Sequence, residues 1–262
     1  MRLNKYLYPP RLSLRFWPYW RRNFLVWKKL IIPSIFGNLA DPMLYMFGLG
    51  FGLGGLLPNM EGMPYIVFLA GGTVCYGIMN TATFEVIYSG FSRMHAQKTW
   101  EAVLNAPLHL DDVVLGEIIW AACKSFLSAL AILLVIWVFG LSSSLLILWI
   151  VPLSLIIGFC FASMGMIMTA ISPNYDFFLY YFTLFITPMT LLCGVFFSVT
   201  QLPPIAQTIS SFLPLTHAVN LIRPLLTGHI PTDIGLHIFI LFIYGTISFY
   251  IALVLLRRRL LI

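Results

Sequence analysis

Four ionisable side chains lie within long apolar stretches of the sequence: Asp41, Glu85, Glu117 and Lys124. Such groups are costly in hydrocarbon and commonly mark proton relays, ion paths or buried ion pairs. Glu85 and Lys124 lie about 8 and about 12 residues from the two ends of one polar loop, so the long lysine stem can bring them together. The pair is then either a structural lock between two helices or a proton relay that also uses Asp41. Glu117 is about one turn inside its stretch, close enough to reach the aqueous boundary.

No other residue pattern points to catalysis. The five histidines, His95, His109, His217, His229 and His237, lack the H-x-x-x-H and H-E-x-x-H spacings of metal sites. The sequence has no G-x-S-x-G elbow and no G-x-x-x-x-G-K-[ST] loop for ATP. It therefore predicts a protein that is not an enzyme, that binds no cofactor or metal itself and that has no nucleic-acid partner. An integral membrane enzyme is the weakest of the functional classes.

The amino-acid composition indicates whether these residues lie in water or in a membrane. Of the 262 residues, 60% are hydrophobic and 9% are charged, and the mean hydropathy is +0.93. Soluble domains carry about 25% charged residues, so this chain is predicted to be an all-α integral membrane protein. A spanning helix needs about 20 mostly apolar residues. Six stretches qualify: 33–56, 64–91, 113–139, 144–171, 177–199 and 234–256.

Basic residues predict the orientation of these six transmembrane helices. Eight of the fifteen Lys and Arg residues precede the first span, two lie between the second and third spans, and three close the chain. Those thirteen residues lie on one side, against Arg223 alone on the other. Because basic loops stay inside the cell, both termini are predicted to be cytoplasmic. The chain is one transmembrane domain, 1–262, with a cytoplasmic or interfacial segment at about 1–30 and the bundle at about 33–256.

The segment before the first span predicts an N-terminal interfacial helix. Its basic residues recur at helical spacing on one side and its aromatic residues on another: Arg11, Arg15, Arg22 and Lys29 against Phe16, Trp20, Phe24 and Trp27. Such a helix lies on an anionic inner leaflet, which makes membrane lipids a partner, and Pro18 is expected to kink it. A basic anchor that sets the topology is favoured over a site for a specific partner.

The one sizeable cytoplasmic loop contains a second short helix. Residues 99–104 are fair helix formers and Pro107 prevents their continuation. A plain connector does not need Trp100, Val103 and Leu104 on a helix that faces water. Exposed apolar residues of this kind indicate a docking surface.

A third short helix is predicted at about 200–215, before the last span. Apolar residues at 202, 205, 206, 209, 212 and 213 form one helical face. Pro203 and Pro204 can start this helix and Pro214 ends it. About ten residues reach only about 15 Å, half of the roughly 30 Å hydrocarbon core. The helix is therefore re-entrant or interfacial in the outer leaflet, and it either plugs the bundle or guides amphipathic cargo outward.

Glycines crowd the outer half of the first span. Gly48-xxx-Gly52 and Gly50-xxx-Gly54 have a spacing that lets helices approach closely. The sequence leaves open whether this approach occurs within one subunit or between two, or whether these glycines are hinges.

Several separated motifs resemble type 2 ABC exporter permeases, most closely the nodulation-type export branch. The outer segment resembles the motif of that family at Gly194, Phe196, Phe197, Leu202, Pro203, Gln207, Leu213, Pro214, Leu215, Thr216, His217 and Arg223. Lys98 to Glu117 resembles its coupling segment, and Ser172 to Phe178 and Arg257 to Arg259 agree in order. The resemblance covers nearly the whole chain. The chain departs from the pattern at Ser198, where many members have Pro, and at Thr200, where many have an acidic residue.

This resemblance implies a permease that works as a dimer in a bacterial inner membrane, with two copies of a separate ABC ATPase subunit that binds ATP and Mg. The implied cargo is an amphipathic or lipid-linked saccharide. The cytoplasmic coupling helix would seat Thr99, Trp100, Glu101, Val103, Leu104 and Pro107 against the ATPase. The external lip would comprise Phe196, Phe197, Leu202, Pro203, Pro214, Thr216, His217 and Arg223. The alternative is an ion-coupled secondary transporter that uses Glu85, Lys124 and Asp41.

Overall fold

Helices make up most of the computed structural model, which describes residues 6–57, 59–142 and 144–261. In chain order they are α1 (Phe16–Lys28), α2 (Ile31–Gly54), α3 (Tyr65–Ala96), α4 (Thr99–Leu104), α5 (Leu110–Val138), α6 (Leu145–Ile171), α7 (Phe177–Leu192), α8 (Pro204–Phe212), α9 (Pro214–Leu226) and α10 (Ile234–Leu260). One small antiparallel hairpin, β1 (Asn59–Met60) and β2 (Met63–Pro64), precedes α3.

Four helices, α3, α5, α6 and α10, are long and apolar enough to cross a membrane. Counting α2 together with α1 raises this number to five. The prediction of an all-α membrane protein is thereby supported. By length and composition, however, four or five helices of the described residues qualify as spans, and not the six that were predicted. The predicted fifth span, 177–199, corresponds to the shorter helix α7, because the chain leaves the helix at Cys193 and makes a left-handed turn at Gly194.

The core lies where α3, α5, α6, α9 and α10 pack on one another. Small residues set the closest approaches. A Cβ on Gly72 of α3 would lie 2.1 Å from the carbonyl oxygen of Val195, and one on Gly158 of α6 would lie 2.1 Å from Ser125 Oγ of α5. Gly72 therefore requires glycine because the clash is with backbone, whereas a Cβ at Gly158 would require Ser125 to rotate and would lie 3.0 Å from Ala122 Cα. Of the glycines in α2, Gly50 approaches Ile66 of α3, whereas Gly48, Gly52 and Gly54 have open space beside them.

The first helix turns sharply away from the second. The axes of α1 and α2 differ by 84°, so the two helices are nearly perpendicular. Tyr19 and Asn23 are buried against α5. The predicted kink at Pro18 is not needed, because α1 begins at Phe16 and a proline in the first turn displaces no helical hydrogen bond.

Two ends of the bundle can be distinguished. At one end, the terminal end, the N-terminal segment, the turn before α5 and the last turn of α10 meet. At the other, the hairpin end, β1 and β2 meet the turn after α7. The helix predicted at 200–215 is observed here as α8, Pro204–Phe212. As predicted, α8 ends before Pro214, with Leu213 extended. Pro214 also starts a second helix, α9, because proline is well suited to the first helical turn.

Candidate functional site

Four charged side chains form a continuous chain of ion pairs towards the terminal end of the bundle. Lys124 Nζ lies 2.8 Å from Glu85 Oε2, so the two residues expected to pair are in contact. Arg93 continues the chain: its Nη2 lies 2.9 Å from Glu85 Oε1 and 2.5 Å from Glu117 Oε2. Two cations and two carboxylates thus alternate and balance. Their side chains range from 0% exposed for Glu117 to 18% exposed for Lys124.

Arg93 enters this network because α3 is longer than its apolar pattern. The helix continues past its last apolar run through two π-helical turns, Glu85–Gly90 and Ser92–Ala96. Arg93 was expected in a cytoplasmic loop, but it lies in the second of these turns. π-Helical turns are frequent at functional sites. Here the extra helical turns place a guanidinium between two carboxylates on different helices.

Glu117 of α5 is the point where several elements meet. Its carboxylate accepts hydrogen bonds from the Tyr19 hydroxyl at 2.5 Å, the Asn23 amide at 3.3 Å and the Trp100 indole at 3.0 Å. Glu117 was expected to reach the aqueous boundary, but it is fully buried. Burial, reinforced by the Glu117 charge, raises the pKa of Tyr19 well above its usual value. The Tyr19 hydroxyl therefore stays protonated and donates.

Trp100 faces the interior and not water. The residue is 1% exposed, which overturns the expectation that it presents an exposed apolar surface. Val103 and Leu104 are half-buried and pack against the core. The exposed side of α4 instead carries Lys98 and Glu101, a pair 3.8 Å apart and largely solvated. The short helix is thus attached to the spans by its tryptophan and presents charge outward.

The N-terminal segment fastens the same region from outside. The backbone N–H groups of Arg11 and Ser13 donate to Asp111 and Asp112 at 2.8 and 2.7 Å. Arg257 of α10 binds the Asp111 carboxylate and donates to the Tyr8 carbonyl at 2.6 Å. Arg15 donates to the carbonyl of Pro107 at 2.7 Å. The turn that leads from α4 into α5 is therefore held by both ends of the chain.

Asp41 does not join this network. It lies on an exposed side of α2 and borders a cavity of about 240 Å³ together with residues of α3. The structure therefore separates Asp41 from Glu85, Glu117 and Lys124, the three other ionisable residues expected within spans.

The external lip predicted from the sequence forms a second polar cluster at the hairpin end. Arg223 of α9 donates to the Gly194 carbonyl, its guanidinium carbon lies 3.6 Å from the centre of the Phe68 ring, and its Nη1 is 3.8 Å from Glu61. Ser198 donates to Glu61. The hairpin that carries Glu61 was not predicted. It supplies a carboxylate to Ser198, whose hydroxyl lies 2.8 Å from that of Thr200, the position where many members of the resembled family have an acidic residue.

The other lip residues pack around this cluster. Phe196 lies 5.1 Å from the ring of Tyr45, and both Phe196 and Phe197 contact the buried group around Phe68. Leu202 accepts a hydrogen bond from the Gln207 amide. Pro203 precedes α8, and Pro214 begins α9. Each residue is thus placed where the chain changes direction.

Thr216 and His217 lie in the first turns of α9. Thr216 donates to the Ser210 carbonyl at 2.7 Å, which joins α8 to α9. His217 was expected to be a hydrogen-bonding residue of a loop or of the lip. It is a buried helical residue of the lip, and its Nδ1 lies 2.8 Å from Nδ1 of His237. Burial lowers the pKa of His217, and the nearby His237 lowers it further. The His217 ring is therefore uncharged at neutral pH.

Sequence reasoning missed the residues that complete both clusters. Arg93, Tyr19, Asn23 and Trp120 complete the first, and Glu61 and His237 complete the second. Trp120 donates to Glu85 at 2.9 Å and packs against the aromatic side of α1. A usable signal was present in α1, where Tyr19 and Asn23 are four residues apart and thus share one helical face. Nothing in the sequence indicated Glu61 or His237.

Replacing Glu85 by Gln and Lys124 by Met, singly and together, tests whether the two residues act as a pair. We expect a coupling energy of about 0.5 to 3 kcal/mol in a double-mutant cycle, read from unfolding in detergent. The value should fall below the cost of losing a fully buried pair because Lys124 is 18% exposed. If the two single losses simply add, the contact contributes no stability.

The arrangement defines a class of protein before any relative is considered: a helical membrane protein in which a short surface helix is joined to the spans through buried charges. Residues 15–227 match the ABC-2 type transporter family, and the chain belongs to that family.

Among its relatives, Nodulation protein J of Rhizobium leguminosarum bv. trifolii is 46% identical over 252 residues, covering 96% of both chains. Nodulation protein J of Sinorhizobium fredii is 47% identical over 242 residues, covering 92% of both. Inner membrane transport permease YadH of Escherichia coli is 24% identical over 204 residues, covering 76% of both. The chain is thus a transport permease subunit of the ABC-2 type and not an enzyme, and the family implies an ABC ATPase partner.

Proposed function

We propose that this chain is the permease of an ATP-driven exporter that moves an amphipathic or lipid-linked saccharide out of the cytoplasm or inner leaflet. Two copies of the chain work with two copies of the ATPase, which supplies ATP and Mg. The chain lies in a bacterial inner membrane with six spans, α2 being the first and α7 the fifth. Both termini are cytoplasmic, so the terminal end of the bundle faces the ATPase.

The observation that carries this proposal is the attachment of α4 to the spans. Trp100 of α4 donates to Glu117 of α5, and Arg93 links Glu117 to Glu85 of α3. Displacement of α4 by an ATPase would therefore move α3 and α5 with it, as rigid-body coupling requires. In this scheme Thr99 and Trp100 fix α4 to the permease. Glu101 and the Pro107 turn face the ATPase, while Val103 and Leu104 pack inward.

The basic N-terminal segment supports the proposed orientation. Three basic residues are exposed near the terminal end: Arg21 and Lys28 of α1, and Lys29, which directly follows the helix. A negatively charged inner leaflet would attract them. The 84° turn between α1 and α2 lets α1 lie in the membrane plane while α2 crosses it. An interfacial helix follows from these two features together.

The charges favour a structural role over ion coupling. Glu85 and Glu117 are each held by a cation within hydrogen-bonding distance, and Asp41 is not connected to them. A relay needs a continuous path between its titrating groups. The balanced pairs instead resemble a lock between helices, so we do not adopt the ion-coupled alternative.

The nature of the cargo rests on the names of the relatives and on the resemblance of the outer segment. The relatives are called nodulation proteins, and the resemblance of this chain to the nodulation-type export branch implies an amphipathic or lipid-linked saccharide as cargo. The short helix α8 carries exposed apolar residues, Ile205, Ile209 and Phe212, at the hairpin end. These residues provide an outer-leaflet surface over which an amphipath can leave.

Transport should require the partner ATPase. Vesicles that contain this chain together with its partner ABC ATPase should export a fluorescent acylated oligosaccharide when ATP is supplied. Vesicles with the chain alone should not, even under a proton gradient. Robust export driven by the gradient alone would establish the secondary transporter instead.

A further inference from the structure

Asp41 occupies an unusual position for a carboxylate. It lies ten residues beyond the start of α2, about 15 Å along the helix at 1.5 Å per residue, and thus well inside a hydrocarbon core of about 30 Å. The Asp41 residue is exposed, so the other helices do not cover it. An ionisable group at such a depth marks a functional site by default, with a partner still to be named.

Within the residues that the structure describes, the Asp41 carboxylate has no ion pair and no hydrogen bond. Glu85 and Glu117, by contrast, are held by cations and indole groups. The difference separates two kinds of intramembrane carboxylate. The carboxylates of the network are satisfied by ion pairs and hydrogen bonds within the protein. Asp41 interacts electrostatically with the neighbouring Tyr76, and its carboxylate oxygens stay available to a ligand.

The cavity beside Asp41 is lined by both polar and aromatic side chains. Its volume is about 240 Å³, and Asn80, Thr81 and Tyr76 of α3 line it with amide and hydroxyl groups. Thr81 donates to Ser128 at 3.1 Å and keeps its acceptor capacity. Asn80 is half-buried, and its amide has no hydrogen bond in the part of the chain that the structure describes. Phe84, 42% exposed, forms the rim.

The size and chemistry of this cavity point to a particular ligand. Its volume is several times the roughly 30 Å³ that one water occupies in the liquid, so it is too large for a bare ion. A carboxylate, an amide and hydroxyls that converge beside aromatic rings can bind a ring with several hydroxyl groups. Gly37, beside which there is open space, leaves the cavity open towards lipid.

We propose that the Asp41 cavity binds the hydroxyl groups of a saccharide headgroup that enters sideways from the inner leaflet. Asp41 accepts hydrogen bonds from two sugar hydroxyls, Asn80 donates to a third oxygen, and Phe84 and Tyr76 flank the ring. The hydrocarbon tail stays in the bilayer against the exposed side of α2. This assignment deepens the proposed export function and rests on it for the class of ligand.

Carbodiimide labelling in lipid nanodiscs tests the proposal without measuring transport. A hydrophobic carbodiimide converts an accessible intramembrane carboxyl group into a stable N-acylurea, which mass spectrometry locates. We expect modification of Asp41 and none of Glu85 or Glu117. An alkyl maltoside below its micellar concentration should protect Asp41, whereas an alkyl phosphocholine with the same chain should not. Asp41→Asn should abolish the labelled peptide.

A variant at Asn80 tests the role of the polar side chains that line the cavity. Asn80→Leu should raise the maltoside concentration for half-protection by about 3- to 10-fold, as expected for the loss of one hydrogen bond. The matched control, Thr208→Val on the exposed helix α8, should leave it unchanged. Equal protection by the two amphiphiles would show that the cavity only accepts alkyl chains and would overturn the proposal.

Absence of labelling at Asp41 in the bilayer would also overturn the proposal, because a second copy of the chain or another part of the assembly then covers the cavity. Neither result depends on export activity. A failure of the saccharide site can therefore be told apart from a failure of the exporter function.

Discussion

Replacing Glu117 by glutamine is expected to lower the free energy of unfolding of the permease by about 3 to 5 kcal/mol. The change leaves Arg93 and Lys124 with only Glu85 to balance them, and a buried charge without a partner is the costly outcome. It also weakens the acceptor that Tyr19, Asn23 and Trp100 share. Thermal and denaturant unfolding in detergent measure the loss.

A second change distinguishes charge balance from simple loss of a side chain. Glu117→Gln combined with Arg93→Met restores a neutral set, Glu85 with Lys124, and should unfold less readily than Glu117→Gln alone. The matched control is Glu101→Gln, since Glu101 is 61% exposed and should change stability little. If the double variant is no more stable than the single one, the buried charges do not act as a balanced group.

Trp100→Ala should also destabilise the permease, by about 3 to 5 kcal/mol, because it removes a fully buried aromatic side chain and leaves a cavity. Trp100→Phe keeps most of the ring volume but removes the indole donor to Glu117, so its smaller loss reports the hydrogen bond. Unfolding of each variant in detergent gives the two values. The tryptophan thus fastens α4 to the spans.

The exposed side of α4 should behave in the opposite way. Glu101→Arg is expected to leave the unfolding transition unchanged while it reduces the amount of ATPase that co-purifies with each folded permease. Glu101→Gln serves as the milder comparison. If Glu101→Arg retains the ATPase fully and Trp100→Phe, although folded, does not, the docking surface lies on the Trp100 side and α4 is oriented differently in the assembly.

Some of the site could be predicted because helices are regular. Glu85 and Lys124 were placed in contact by counting residues from a shared loop, and a constant rise per residue makes such a count reliable. Two residues of the predicted cytoplasmic loop lie elsewhere in the structure: Arg93 is in the last turns of α3, and Trp100, expected to face water, is buried. A charged side chain normally lies in water, but here the Arg93 guanidinium is bound by a carboxylate on another helix. Only tertiary packing places Arg93 beside Glu117.

The hairpin end shows a related difference between local and long-range information. Prolines predicted the start of α8, since their effect on the backbone is local. The same reasoning correctly predicted that α8 ends before Pro214, but it missed that this proline also begins α9. Glu61 and His237 could not be predicted, because their partners Ser198 and His217 are far away in the sequence.

The contact between Tyr19 and Glu117 has a consequence for how the chain is made. The two residues are 98 positions apart, and ribosomes add about 5 to 20 residues per second. Tyr19 and Asn23 therefore wait about 5 to 20 s, with α1 already synthesised, before their acceptor exists. Arg257 must follow Asp111 by a further 146 positions. The basic, aromatic helix α1 thus spends the interval before α5 is made on the lipid surface. The segment before it waits longer, because the Tyr8 carbonyl meets Arg257 only when α10 has been made.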